Sequence, residues 1–263
     1  EWRKRLYAIA VSTDSTTISA GICGTCLLQA YQMIAELQEY YPSSPLASGG
    51  YFFDTQPNRD PMISFGQRYS DLYTFMLNAT ALYGAPLTPV ETDDEINLRI
   101  ALAVTQAVLP RFTWNASRVL THRGEILAAI RNFFRAPVGS VWIAFLTYTF
   151  PDGSTGAHAM PIIRSHYGIH VIPTNITDSF DVFSEDTEET MSYEFVYSIF
   201  SQQGQATIDS FATLQMGEED PNPLSVVMSQ NNCTGEGSDR RGNRMFPRSS
   251  TVNQCLKGRC SIM

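Results

Sequence analysis

The apolar residues of this chain change their spacing near residue 135, and that change limits the folds open to it. Between Cys23 and Phe134 they recur at steps of three and four, which is typical of amphipathic helices. From Val141 onward, short apolar and aromatic runs alternate with turn residues, which predicts strands. Helices followed by strands predict an α+β fold, with the helices packed against one side of an antiparallel sheet.

The predicted elements follow from this periodicity and from local turn and capping signals. Helices are expected at Cys23–Tyr41, Gln67–Tyr83, Thr92–Val108, Ser117–Phe134 and Glu188–Phe200. Strands are expected at Leu6–Val11, Val141–Thr149, His158–Ile163, Ile169–Ile172 and Ala206–Gln215. The third helix begins with a capping box, Thr-Asp-Asp-Glu from Thr92.

Charge divides the chain into a body and a tail. The net charge is −8, but residues 230–263 carry +4, which leaves −12 for the rest. An acidic body argues against nucleic acid as a partner. We therefore predict a folded domain over residues 1–220 and a basic, flexible tail over 221–263, which is either solvated or attracted to an anionic membrane surface. No run of about 18 apolar residues occurs, so the sequence predicts no membrane span.

Two of the five cysteines, Cys23 and Cys26, lie where a predicted helix begins. A helix N-terminus stabilises a thiolate, the form of cysteine that attacks a carbonyl carbon. Other interpretations remain open: two core cysteines, a redox pair, or half of a zinc site. The chain offers neither a thioredoxin-like context nor a second close cysteine pair, so we predict no metal and no cofactor.

A catalytic thiol needs a histidine, and His158 is the strongest candidate of four, because it follows a turn and begins an apolar strand. If Arg164 pairs with Ile169 in a hairpin, His158 lies opposite Asn175. Asn175 would then accept a hydrogen bond from a ring N–H and fix the orientation of the imidazole. Acceptors under other registers, or in reserve, are Pro173, Thr177 and Asp178.

These segments resemble the papain-like cysteine protease superfamily. The run Cys-Gly-Thr-Cys-Leu from Cys23 resembles the nucleophile segment of that superfamily, and Gly-Ala-His-Ala-Met around His158 resembles its histidine strand. The pattern is closest to cysteine protease effectors that bacterial pathogens secrete, in which a Gly-X-Cys segment opens the helix. The resemblance implies a papain-like fold with Cys23, His158 and Asn175 as catalytic residues, and Cys26 as the alternative nucleophile.

The resemblance also implies a function: a cysteine peptidase that acts on a protein or peptide substrate in the cytosol of a host cell. The same residues would serve a glutamine deamidase or an acyltransferase. One departure from the superfamily is that no Gln precedes the nucleophile to bind the oxyanion, which leaves backbone amides or the hydroxyls of Ser15, Thr17 and Ser19. This departure favours a further alternative, a catalytically inactive interaction protein tethered to a membrane.

The last four residues, Cys-Ser-Ile-Met from Cys260, fit the C-a-a-X pattern for farnesylation. Basic residues before them would supply the second signal that stable membrane anchoring requires. The alternatives are a free cysteine in the tail or a local bridge from Cys255 to Cys260.

Overall fold

The computed structural model describes residues 1–13, 24–56 and 59–219. Its helices are α1 Trp2–Ala10, α2 Thr25–Tyr40, α3 Pro61–Arg68, α4 Ser70–Tyr83, α5 Asp93–Val108, α6 Arg123–Phe133, α7 Phe180–Asp186 and α8 Tyr193–Phe200. Its strands are β1 Phe112–Ala116, β2 Val141–Thr149, β3 Thr155–Arg164, β4 Ile169–Val171 and β5 Thr207–Glu219. The predicted α+β class is confirmed.

The five strands form one antiparallel sheet in the order β1-β5-β2-β3-β4. The central strand β2 is apolar on both faces, because its residues alternate between two buried clusters. Ile143 packs with α1, α2 and α5 in one cluster, whereas Trp142 and Leu146 pack with α6 and α8 in the other. The N-terminal helices therefore cover one face of the sheet, as expected.

The second face of the sheet is also covered, which the prediction of helices on one side did not include. Helices α6 and α8 bury Ile126, Ile130 and Val196 against it. The reason is the continuous burial of β2, since a strand that is apolar on both faces needs a packed layer on each side.

Four predicted elements differ in the structure. The helix expected at Glu188–Phe200 begins only at Tyr193, because Thr190 bonds to Ile169 of β4. The run Leu6–Val11 was expected to be a strand, but it belongs to α1, because Leu6 and Ile9 with their neighbours bury one helical face. The helix expected at Gln67–Tyr83 is divided at Tyr69 between α3 and α4. Ser117–Phe134 becomes helical only from Arg123, because residues just before it bond to β5 through a Leu120–Phe211 bridge.

Several predicted site residues lie outside the described residues. They are the nucleophile candidate Cys23, the hydroxyls of Ser15, Thr17 and Ser19, and the prenylation candidate Cys260 with its basic tail. Their roles and the boundary of the tail stay predictions. Among the described helices, none combines the length and the hydrophobicity needed to cross a bilayer.

Candidate active site at the start of strand β3

Helix α2 brings its first turn against β3. Gly24 is the N-cap, and Cys26 is the second residue of the helix. The Cys26 side chain is partly buried, packs against the first cluster and hydrogen bonds with the backbone of Ala159, the residue that follows His158. The start of the cysteine helix and the start of the histidine strand are therefore in direct contact.

Burial raises the pKa of the Cys26 thiol above its ordinary value, and hydrogen bonds with the backbone of Ala159 and Leu27 offset this only in part. A thiol with a raised pKa stays protonated at neutral pH and is a poor nucleophile. The surroundings of Cys26 are those of a core cysteine.

His158 is partly buried near the beginning of β3, opposite Leu146 of β2. Burial lowers the pKa of His158 to about 4, and a hydrogen bond with the backbone of Thr174 opposes this shift. The imidazole is therefore uncharged at neutral pH. Its Nε2 lies 3.3 Å from the hydroxyl of Thr174, which itself donates to the carbonyl of Ala159 at 2.6 Å. Because that hydroxyl proton is engaged, we assign Nε2 as the donor in this contact, and the neutral ring then carries its proton on Nε2.

The predicted hairpin register is confirmed, since Arg164 pairs with Ile169. Regular pairing stops before it reaches Asn175, and the backbone there adopts a left-handed conformation with φ of 49°. Asn175 is exposed, and no hydrogen bond between described residues joins its side chain to His158. Thr174 contacts the ring instead, so the orienting role of Asn175 stays a prediction.

Gln29, a residue of α2, holds this region together. Its side chain is fully buried, and its Nε2 donates to the carbonyls of Ala10 at 3.2 Å and Ser12 at 2.8 Å. Its Oε1 accepts from the backbone N–H of Asn175. A glutamine within an apolar helix face is the signal that could have revealed this role, because a buried amide requires partners.

Two cavities meet at His158. The smaller, of about 70 Å³, lies beside Cys26 and Phe145 and is called here the Cys26 cavity. The larger, of about 390 Å³, is called the polar cavity, and its lining includes Tyr148, His158, Asn175, Asp178, Asp186 and Gln203. Residues paired across a sheet share a face, so the His158 side chain points with Leu146, away from the face that Cys26 contacts. The Cys26 thiol and the imidazole are therefore on different sides of β3.

Comparison with models of protein families assigns this chain to a family. A family model described as "Protein of unknown function (DUF1561)" matches residues 1–261. The chain belongs to this family. A search of curated proteins finds no match.

Two solved structures resemble this DUF1561 chain. The Pseudomonas avirulence protein AvrPphB is 10% identical, with a TM-score of 0.35 over 57% of this chain and 73% of that one. A variant of the Salmonella effector SpvD is 12% identical, with a TM-score of 0.34 over 83% and 79%. At these TM-scores, neither likeness carries an argument about activity or site residues.

The remaining histidines of the DUF1561 chain have other surroundings. His122 is exposed beside Glu125, with Nδ1 3.5 Å from its carboxylate. His170 has its Nδ1 2.9 Å from the carbonyl of Thr187. No cluster of three acidic, histidine or cysteine side chains suited to a metal occurs in the part of the chain that the structure describes. Among the described histidines, His158 is the one that lines both the Cys26 cavity and the polar cavity.

Proposed function

We propose that this protein is a thiol-dependent hydrolase, a cysteine peptidase that cleaves a protein in a host cell. Cys23 is the nucleophile and His158 is the base that accepts its proton. Thr174 or Asn175, at the end of the hairpin, orients the imidazole. This is the Cys-His-Asn chemistry that the sequence predicts, with Thr174 added as an orienting residue.

The observation that carries the proposal is the convergence of three segments that are distant in the chain. The first turn of α2 contacts β3 through Cys26 and Ala159. The segment after β4 contacts α2 through Gln29. That same segment reaches His158 through Thr174. A nucleophile, a base and an orienting group from separate elements must meet in this way before a thiol can be activated.

The choice of Cys23 follows from the surroundings of Cys26. Cys26 has a raised pKa and lies on the other side of β3 from the imidazole. Cys23 directly precedes the N-cap Gly24, where free backbone N–H groups favour an anion. A catalytic role for Cys23 therefore agrees with its place before a helix N-terminus. Unlike a catalytic role for Cys26, it does not require a buried thiolate.

The proposed reaction has two halves. Nδ1 of His158 takes the proton of the Cys23 thiol, the sulfur forms a bond to the substrate carbonyl carbon, and the imidazolium returns the proton to the leaving amine as the C–N bond breaks. Water then attacks the thioester, His158 takes its proton, and the carboxylic acid leaves as the proton returns to sulfur. The uncharged state of His158 at neutral pH suits the first step, because only the neutral ring accepts a proton.

Alkylation by iodoacetamide at mildly acidic pH tests the proposal, with the modified cysteines mapped by mass spectrometry. We expect Cys23 to react at least about tenfold faster than Cys26, since only the thiolate reacts. Replacement of His158 by Ala removes the base and should slow the reaction of Cys23 to the rate of an ordinary thiol.

A matched control is His122→Ala, which removes an exposed imidazole far from α2 in sequence and should leave the rate at Cys23 unchanged. Equal rates at Cys23 and Cys26, or a Cys23 rate that His158→Ala does not alter, would contradict the catalytic pair. Cleavage of a peptide library by the wild type, absent in Cys23→Ala, would then separate a peptidase from a deamidase or an acyltransferase.

A second candidate is a catalytically inactive interaction protein. The position of the His158 ring, on the opposite side of β3 from Cys26, favours it. In that case all cysteines should be alkylated at rates set by exposure alone, and His158→Ala should change none of them. The same experiment therefore decides between the two candidates.

A further inference from the structure

We propose that a cavity between α1, α2 and the far end of β3 binds a fatty acid, with its carboxylate at Arg164 and its hydrocarbon chain among apolar side chains. The cavity has a volume of about 520 Å³, within the range of pockets that hold a small ligand. It is called here the Arg164 cavity, and its lining includes Trp2, Leu6, Leu37, Ile163, Arg164 and Ile172. It shares no described lining residue with the Cys26 cavity or the polar cavity, so the inference is independent of the proposed function.

The walls of the Arg164 cavity are mostly apolar. Leu6 of α1, Val141 of β2 and Ile172 after β4 belong to the first buried cluster and also line this cavity. Two further lining residues are unusually exposed for large apolar side chains, Tyr41 at 66% and Val138 at 49%. Exposed apolar side chains around a concave, apolar volume are typical of a ligand site. A hydrocarbon chain bound here would cover them and would itself lose contact with water.

The charge of the cavity has one sign, although the body of the chain is acidic. Arg3 and Arg164 line the cavity, and none of its described lining residues is an aspartate or a glutamate. Arg3 is paired with Glu188, which lies outside the cavity, at 3.6 Å. Arg164 takes part in none of the ion pairs between described residues. A guanidinium without a neighbouring carboxylate attracts an anion.

A second observation is that the guanidinium of Arg164 is held in place while part of it remains unused. Its Nη1 donates to the carbonyls of Ser165 at 2.7 Å and Gly168 at 2.9 Å. Its Nη2 makes no hydrogen bond with described residues, and it remains accessible to solvent, whereas Nε is buried. Accessible N–H donors on a fixed cation suit a carboxylate, which accepts short, charge-assisted hydrogen bonds from a guanidinium.

A fatty acid fits these surroundings better than the carboxyl terminus of an apolar peptide. A peptide brings backbone N–H and C=O groups that need hydrogen-bond partners, and the free edge of a sheet is a common source of them. The outer edge of β4 is already occupied, because Ile169 and Thr190 exchange both backbone hydrogen bonds. A hydrocarbon chain needs no such partners, so an apolar cavity with one cation can hold it completely.

Calorimetric titration of the full chain with octanoate tests the inference, and 1-octanol is the matched neutral probe, since it has the same chain length without the charge. We expect octanoate to bind with a Kd on the order of 0.1 mM. Octanol should bind at least about tenfold more weakly, as for the loss of a charge-assisted hydrogen bond. Decanoate should bind about tenfold more tightly than octanoate, because each buried CH₂ group contributes about fourfold.

Two variants act on the carboxylate end of the ligand. Arg164→Gln should weaken octanoate binding by about tenfold and leave octanol binding unchanged. Val138→Asp adds a carboxylate at an exposed position of the lining and should weaken octanoate binding by about fivefold, with no change to the buried core. The matched controls lie outside the cavity: Arg118→Gln removes an exposed arginine, and Val90→Asp adds the same charge at an exposed valine.

Both controls should bind octanoate as the wild type does, and circular dichroism verifies that every variant is folded. Absence of octanoate binding, or equal binding of octanoate and octanol, would overturn the inference. So would an affinity that neither Arg164→Gln nor Val138→Asp changes, or losses of the same size in the controls. Tighter binding of N-acetyl-trileucine than of decanoate would identify a peptide carboxyl terminus as the ligand and also overturn it.

Discussion

Two buried polar clusters of this protein differ in how completely their hydrogen bonds are satisfied. Between α1 and α2, the guanidinium of Arg5 makes two bonds of 2.7 Å to the carboxylate of Glu36 and further bonds to Thr55 and Gly49. At the border of the polar cavity, the hydroxyl of Tyr148 is also buried, but it has no hydrogen-bond partner among the described residues. The first cluster is closed and fixes the packing of two helices, whereas the second leaves a buried polar group unsatisfied.

The difference distinguishes buried polar groups that stabilise the fold from buried polar groups that serve a functional site. A buried charge with all its partners in the protein stabilises one arrangement and offers nothing to a ligand. A buried polar group without a partner reduces stability, and it persists at sites where a ligand or a substrate completes it. If this interpretation is right, substitutions in the two clusters should have opposite effects on stability and binding.

The largest expected effect is at the closed cluster. Glu36→Gln leaves the buried charge of Arg5 without its carboxylate, and we expect a loss of about 3–5 kcal/mol in the free energy of unfolding. Urea denaturation followed by circular dichroism measures it. Glu125→Gln is the control, because it removes the exposed partner of Arg118 and should cost at most about 1 kcal/mol. Similar losses in both variants would show that the Arg5–Glu36 pair is not structural.

A smaller effect on the free energy of unfolding is expected from His158, at the border of the polar cavity. His158 has a folded pKa of about 4, below its ordinary value of 6.5, so the unfolded chain binds a proton more readily between these values. The free energy of unfolding should therefore fall as the pH decreases from 6.5 to 4, with His158 contributing at most about 3 kcal/mol. Urea denaturation at several pH values, in the wild type and in His158→Gln, isolates this contribution as the difference between two curves. Parallel curves would mean that the ring is not desolvated.

The smallest effect on the free energy of unfolding is expected from removal of the Tyr148 hydroxyl. Tyr148→Phe removes a buried hydroxyl without a hydrogen-bond partner in the described part of the chain, so stability should change by less than about 0.5 kcal/mol or increase slightly. Tyr31→Phe is the matched control, since the hydroxyl of Tyr31 is buried and lies 2.8 Å from that of Thr105. Its loss should cost about 1 kcal/mol. Equal costs in thermal or urea denaturation would remove the contrast between the two clusters.

Much of the frame around the candidate site could be predicted from local sequence. The capping box at Thr92 begins α5, and the Arg164–Ile169 register follows from the hairpin length. These features depend on residues close together in the chain, where turn chemistry and side-chain period decide the conformation. The run Leu6–Val11 was wrong as a strand because six apolar residues fit either period, and contacts with α2 and α7 decide for a helix.

The contacts within the candidate site were harder to predict from the sequence than the elements around it. Register arithmetic placed Asn175 opposite His158, but it could not show that the backbone turns left-handed there and that Thr174 contacts the ring. Gln29 could not be recognised as the residue that holds this segment, because its partners lie 17 and 146 positions away. Hydrogen bonds over such separations depend on how helices dock on the sheet, which local periodicity does not encode.

By itself, the sequence determined the α+β class, the helix that carries Cys26 and the strand that carries His158, because periodicity and turn signals are local properties. Only the tertiary structure decided that a second layer covers the sheet, that Cys26 is a core thiol and that His158 borders a polar cavity. These depend on which groups lose contact with water, and burial is set by the packing of the whole chain. The burial of the Tyr148 hydroxyl belongs to this second kind, since the sequence predicts a tyrosine in a strand but not the packing around it.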